Sequence, residues 1–240
     1  LSDHRRTPDE LSADQMLRLV RMLKEHAGIE KVRLTGGEPL LYPNLIPVIS
    51  GIREMGIGNI GMTTNGQLLA KKVKALVEAG LQNVNLSLDS LEPEKFKRLG
   101  RVGKLHKTLE GIEECMKIGL RVKVNMVVVK GENEDEIVKM LEYGVRQGVE
   151  IRYLELMAMG PLYKKDDFKL VTMHEILERI STRYTVQPVS AEVDSTSLRY
   201  WVPGGYFGII PNNSAPFCST CSRLRLTSNG QLIGCLSNPA

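Results

Sequence analysis

Apolar positions along this chain recur in two alternating periods. Met16, Leu17, Leu19, Val20 and Leu23 make one stripe of a helix that starts at Ser12-Ala13-Asp14-Gln15, with Ser12 as N-cap and Gln15 as its capping-box partner. A strand from Lys31 to Leu34 follows, then a helix from Asn44 to Met55, a strand from Asn59 to Met62 and a helix from Leu68 to Glu78. The pattern continues with a strand from Asn83 to Leu88, a charged helical stretch from Pro93 through Met116, a strand from Lys123 to Val129 and a helix from Glu134 to Arg146. A strand from Glu150 to Leu156 and a helix from Met173 to Arg183 complete it. Such alternation predicts an α/β fold with a parallel sheet covered by helices. The run Val124-Asn125-Met126-Val127-Val128-Val129 predicts a strand buried on both faces. Beyond about Gln187 the period degrades into Pro, Ser, Asn and Gly with short β-like pieces, which divides the chain into 1–186 and a small C-terminal module, 187–240.

The polar residues interrupting the strands carry the candidate chemistry. Lys31-Val32-Arg33-Leu34-Thr35-Gly36-Gly37-Glu38-Pro39 reads as a strand stopping at two glycines, whose backbone can take positive φ and receive a ligand against main-chain groups. Lys31 and Arg33, two apart, share a face of that strand. Further groups are expected at the strands' C-terminal ends: Thr63-Thr64-Asn65-Gly66, Ser87-Leu88-Asp89, Lys123-Val124-Asn125 and Glu155-Leu156-Met157. In a parallel (β/α) barrel that single rim is where ligands bind.

Composition, charge and cysteine placement add to this picture. At 240 residues, 42% hydrophobic and 25% charged, the chain is ordinary for a globular protein, and its net charge of +4 is too small to argue for nucleic acid. No apolar run has membrane-span length and no signal-peptide layout is present, so the expected compartment is the cytoplasm. Charge is unevenly placed: residues 195–240 hold Arg199, Arg223 and Arg225 with no Asp or Glu, which favours an anionic partner. Among four cysteines, Cys115 lies in an apolar helical pattern and reads as a small buried hydrophobe, whereas Cys218, Cys221 and Cys235 form C-x2-C-x13-C. That spacing reads as metal before disulfide. Zinc wants a fourth closed ligand, and the histidines, His4, His26, His106 and His174, all stand far upstream. Three thiolates suit a [4Fe–4S] cluster whose fourth iron stays open to a substrate atom.

The stretch Arg33-Leu34-Thr35-Gly36-Gly37-Glu38-Pro39 resembles the GGEP motif of radical S-adenosylmethionine (SAM) enzymes, and the rest of the chain resembles their MoaA branch, the GTP 3′,8-cyclases of molybdenum cofactor biosynthesis. Phe217-Cys218-Ser219-Thr220-Cys221-Ser222-Arg223-Leu224-Arg225, with Gly234-Cys235, resembles that branch's second iron–sulfur site. The resemblance implies a partial TIM-like barrel with a cluster-binding C-terminal module. It implies SAM contacts at Gly37, Glu38, Ser87, Asn125 and Met157, and GTP contacts at Lys31, Arg33, Thr63, Lys123, Arg152, Arg223, Leu224 and Arg225. Cys218, Cys221 and Cys235 would hold a [4Fe–4S] cluster. The implied reaction is a lyase step in which a SAM-derived radical takes the C3′ hydrogen of GTP and C3′ joins C8 of the guanine. An electron donor and a homodimer are the implied partners.

One departure stands beside these matches. The family's C-x3-C-x2-C motif, holder of the cluster that cleaves SAM, precedes the residues where this sequence starts, and Leu1 is no initiator methionine. The expectation is a fragment lacking its N-terminal cluster segment and first strand, and inactive as written. The loop Ala158-Met159-Gly160-Pro161-Leu162 also differs from common family versions. Alternatives are another radical SAM enzyme with an auxiliary cluster, for instance a peptide-modifying one, and a non-enzymatic nucleotide-binding zinc module.

Overall fold

The computed structural model describes residues 9–100, 103–157, 169–190, 196–216, 218 and 221–235. Helix α1 (Ala13–Ala27) starts as its capping box predicts: Gln15 N donates to Ser12 Oγ at 3.2 Å and Ser12 N to Gln15 Oε1 at 2.8 Å. It stops at Gly28, whose φ of 63° only glycine takes without strain. The order then runs β1 (Lys31–Leu34), α2 (Leu45–Glu54), β2 (Asn59–Thr64), α3 (Leu69–Ala79) and β3 (Asn83–Ser87). Next come α4 (Pro93–Gly100), α5 (Leu105–Lys117), β4 (Arg121–Val128), α6 (Ile137–Gln147), β5 (Glu150–Glu155) and α7 (Met173–Ser181). Strands β6 (Gln187–Val189), β7 (Leu198–Val202) and β8 (Gly205–Ile210) precede a hairpin of β9 (Arg225–Leu226) and β10 (Leu232–Ile233).

Strands β1 to β8 form one sheet in the order β1-β2-β3-β4-β5-β8-β7-β6. The first five strands, β8 and β6 run in one direction, and β7, lying between β8 and β6, runs antiparallel to both. Residues after 187 therefore extend the same sheet. One face packs on the helices: Ile60, Met62, Val84, Leu86, Val124, Met126, Val128, Ile151 and Tyr153 are buried there with Leu69, Leu76, Ile112, Met140 and Leu141. Among the described residues no helix packs on the opposite face.

Three expectations need correction. The stretch from Pro93 through Met116 is two helices, α4 and α5, with Gly103 between them at φ 106°. Strand β4 is buried on one face only, Val122 to Val128 alternating with half-buried Lys123, Asn125 and Val127, because helices cover one side of the sheet. It also runs on to Val128, so Lys123-Val124-Asn125 lies within the strand and not at its C-terminal end. No helix among the described residues is long and apolar enough to cross a membrane.

Candidate functional site

Strand register places the sequence-predicted residues in rows across the helix-free face. Arg33 pairs with Gly61 and Gly61 with Asn83. One step toward the strands' C-terminal ends, Thr63, Asn85, Lys123 and Glu150 are paired in turn. A further step gives Ser87, Asn125, Arg152, Gly208 and Arg199. Paired residues project to the same side, so Arg33, Thr63, Lys123, Ser87, Asn125 and Arg152 share one surface. Asn125 Oδ1 is buried there with no hydrogen-bond partner among the described residues. A buried acceptor left in that state is costly unless a ligand or water completes it. Lys31 is exposed at the opposite, N-terminal end of β1, away from the glycine turn it precedes.

Arg33 lies flat over Gly61. Its Nη2 donates to Asn83 Oδ1 at 2.9 Å and its Nη1 to the Met62 carbonyl at 3.4 Å, and a Cβ on Gly61 would stand 2.9 Å from the guanidinium. Burial, then the nearby charge of Arg223, holds the Arg33 pKa below its ordinary value. Arg223 in turn donates from Nη2 to Thr196 Oγ1 at 2.6 Å, and burial also lowers its pKa. Thr196 adjoins β7, six strands from β1, a gap of about 29 Å in a flat sheet at ~4.8 Å per strand. One side chain near both means that the sheet is curled, with the C-terminal segment across its mouth.

The glycine turn is held from behind. Thr35, Gly36 and Gly37 are exposed, and Gly36 takes the predicted positive φ, 142°, whereas Gly37 does not. Glu38 is buried: Oε1 accepts from Thr64 Oγ1 at 2.6 Å and Leu40 N at 3.0 Å, and Oε2 from Asn65 N at 2.8 Å. The carboxylate positions the turn against the end of β2, beside Pro39 and Leu40, which enter the core. Beyond the turn, Asn65, Ser87, Asp89, Phe96 and Gly100 line a cavity of about 160 Å³. Asp89 accepts from Val127 N at 2.8 Å, and burial pushes its pKa above the ordinary carboxylate value.

At the far end of β5, Glu155 does for the C-terminal segment what Glu38 does for the turn. Only 1% exposed, it accepts from Met173 N (2.7 Å) and Ser214 Oγ (2.5 Å) at Oε1, and from Asn213 N (2.7 Å) and Ser214 N (2.8 Å) at Oε2. Asn213 Nδ2 also donates to the Leu156 carbonyl at 2.5 Å, beside Met157. The chain then reaches Cys218 and turns at Cys221, whose N–H donates to the Cys218 carbonyl at 3.3 Å. The β9–β10 hairpin folds back, with Arg225 Nη1 donating to the Gly234 carbonyl at 2.6 Å, and Leu11 N donates to the Ser228 carbonyl at 2.7 Å, tying the hairpin to the start of α1. Its antiparallel register, continued, sets Cys235 opposite Arg223, two residues from Cys221.

Cys218, Cys221 and Cys235 are in no disulfide, and they and Leu224 are exposed. Among the described residues no three His, Cys, Asp or Glu side chains are gathered as a metal site. The hairpin thus brings the three thiols to one end without drawing them to a point. The donor set still fits a [4Fe–4S] cluster: residues 196–240 offer three thiols and no acid or imidazole to close a zinc tetrahedron. The loop Ala158 to Leu162 lies outside the described residues. Glu150, Asn83 and the buried role of Glu155 escaped the sequence; strand-start acids carry no motif, and only the strand order shows what they face.

Residues 2–144 match the Radical SAM superfamily and residues 149–240 match Molybdenum Cofactor Synthesis C. The GTP 3′,8-cyclase of Staphylococcus haemolyticus (strain JCSC1435) is 40% identical over 231 residues, 94% of this chain and 68% of that protein. That of Alkaliphilus oremlandii (strain OhILAs) is 41% identical over 213 residues, 87% of this chain and 66% of that protein. Among solved structures, Streptococcus suis SuiB bound to S-adenosylmethionine has the same fold, with a TM-score of 0.68 at 16% identity over 95% of this chain and 53% of that one. The same partial barrel, the matches to both families over almost the whole length and the identity to these relatives establish that the chain belongs to the GTP 3′,8-cyclase family of the radical SAM superfamily.

Proposed function

We propose that the helix-free face binds SAM and GTP side by side, and that the chain carries out the 3′,8-cyclisation of GTP that opens molybdenum cofactor synthesis. The observation carrying this is the approach of Arg223, from the segment that follows the sheet, to Arg33 in β1, on a face that also holds Lys123 and Arg152. Cations held together against their repulsion make a site for a polyphosphate.

In this proposal residues 1–186 are the partial barrel and 187–240 the cluster module. The Gly36-Gly37 turn, fixed by Glu38, offers backbone groups to the methionine end of SAM. Ser87 and Asn125, neighbours across β3 and β4, face its ribose, and the unsatisfied Asn125 Oδ1 accepts a hydroxyl there. Met157 packs against the adenine. Arg33, Lys123, Arg152, Arg223 and Arg225 hold the triphosphate, with Thr63, Leu224 and the more distant Lys31 around it. Cys218, Cys221 and Cys235 hold a [4Fe–4S] cluster. When bound, SAM with its own reducing cluster supplies the hydrogen-abstracting chemistry, and the C-terminal cluster supplies an open iron for the guanine. The chain's part is orientation: its cations fix the phosphates at one end and its hairpin fixes the base at the other, so the ribose is presented in a single pose. An external donor supplies the electron.

Anaerobic reconstitution and GTP titration test this. We expect about four irons bound through the C-terminal cysteines, and GTP affinity falling in Arg223→Ala and Arg225→Ala. About one zinc with no cluster absorption, or GTP affinity unchanged in both variants, refutes the proposal.

A further inference from the structure

We propose that Arg199 is an additional polyphosphate-binding residue of this face and that Glu150 is a built-in counter-ion which the bound polyphosphate displaces. The inference rests on the assignment of the face to GTP. Among the register-paired residues of the three rows, Glu150 is the one carboxylate. It stands between two cations: Lys123 Nζ lies 3.4 Å from Oε1, and Arg199 Nε lies 3.0 Å from Oε2.

Arg199 comes from β7 and reaches Glu150 on β5 across the intervening β8. The place above its β8 partner Gly208 is filled by Ser197 and Arg152, and Arg199 crosses β8 over Tyr206. Its guanidinium also lies 4.2 Å from the centroid of the Tyr206 ring. That cation–π contact is a second anchor, so the guanidinium stays in place when the carboxylate lets go. The two cations are about one-third exposed, at 37% for the Lys123 side chain and 31% for Arg199, whereas Glu150 is 12% exposed. Both cations are thus more accessible to an incoming anion than the carboxylate that pairs them.

One carboxylate bears a single charge against two cations. A triphosphate offers several oxygens and more charge, and an arginine fork takes two of those oxygens at once. Polyphosphate therefore wins the exchange, and Glu150 sets how strongly. In the unliganded chain Glu150 holds Lys123 and Arg199 in place and keeps weaker single anions out.

Calorimetric titration with GTP, inorganic tripolyphosphate and guanosine decides it, using wild type, Glu150→Gln, Arg199→Gln and Arg223→Ala, with thermal midpoints recorded for each. Glu150→Gln keeps the side-chain volume and should tighten GTP and tripolyphosphate by roughly three- to tenfold, as expected when one competing partly exposed charge is removed. Arg199→Gln should weaken both by about tenfold, and guanosine should respond to neither. If Arg223→Ala weakens GTP while Glu150→Gln leaves tripolyphosphate affinity unchanged or weaker, Glu150 is only a strut between strands and the inference is overturned. If Arg223→Ala also has no effect, the assignment of the face to GTP fails, and the inference falls with it.

Discussion

Arg223, in the segment that follows the sheet, lies near enough to Arg33 in β1 that its charge adds to burial in lowering the Arg33 pKa. Arg33 is held by neutral acceptors, Asn83 Oδ1 and the Met62 carbonyl, and Thr196 Oγ1 accepts from Arg223. These neutral acceptors help to fix both guanidiniums. Repulsion is the standing cost, and an anion relieves it.

Pyrophosphate should therefore stabilise the metal-free chain more than sodium chloride of equal ionic strength. At a hundredfold excess over Kd the linkage is worth about 2.7 kcal/mol, or roughly 5 to 10 °C in Tm for a chain of this size. Differential scanning calorimetry on wild type and Arg223→Ala checks it. A pyrophosphate shift that survives in Arg223→Ala would place the anion elsewhere.

Glu38 accepts from Thr64 Oγ1, Leu40 N and Asn65 N, linking the glycine turn after β1 to the end of β2. In Glu38→Gln one oxygen becomes an amide nitrogen facing a donor. We expect a loss of about 1–3 kcal/mol in urea denaturation, the cost of a buried group left unsatisfied. SAM affinity should fall in parallel, because the exposed Gly36-Gly37 backbone loses its support. Lost stability with unchanged SAM affinity would remove the turn from the SAM site.

Much of this arrangement was legible in the sequence, and the exceptions have physical causes. The alternation of strands and helices could be read because the sheet buries one face, and the capping box at Ser12 marked the start of α1. The break between α4 and α5 was hidden because charged residues continue up to Gly103 and beyond. The hydrogen bonds of Glu38 to Thr64 and Asn65 could not be read locally, because they join the turn after β1 to residues at the end of β2. The meeting of Lys123, Glu150 and Arg199 depends on β8 pairing with β5 ahead of β6 and β7, an order that no local pattern encodes. The cysteine spacing was visible, but its position over the sheet depends on the Glu155 and Leu11 contacts, which are long-range.

Glu155 ties the segment leading to Cys218 onto the end of β5 and the start of α7, through Asn213, Ser214 and Met173. Glu155→Gln should lower stability by about 1–3 kcal/mol and also reduce the iron retained after anaerobic reconstitution. Ser214→Ala removes one of the four contacts and should do both to a smaller degree. If Glu155→Gln retained full iron with unaltered cluster absorption, the thiols would be positioned independently of β5.

Cys115 and the three C-terminal cysteines should separate cleanly by reactivity, because the thiolate is the nucleophile. Cys115 is fully buried in α5, and burial, with a smaller contribution from Glu114, pushes its thiol up to about 12. Cys218, Cys221 and Cys235 are exposed. In the metal-free chain at pH 8, iodoacetamide should modify these three quickly and Cys115 only after denaturation, as read by intact mass. Bound cluster should protect the three and leave Cys115 as it was. The same burial has a pH signature. A thiol whose folded pKa is raised stabilises the fold fully below its ordinary value of 9.0, and that contribution is lost as pH rises through about 12. Between those limits wild type should lose stability with pH more steeply than Cys115→Ala, by at most about 1.4 kcal/mol per pH unit. Parallel curves for the two proteins, or alkylation of Cys115 at the rate of the other three, would show that α5 opens far more readily than its packing implies.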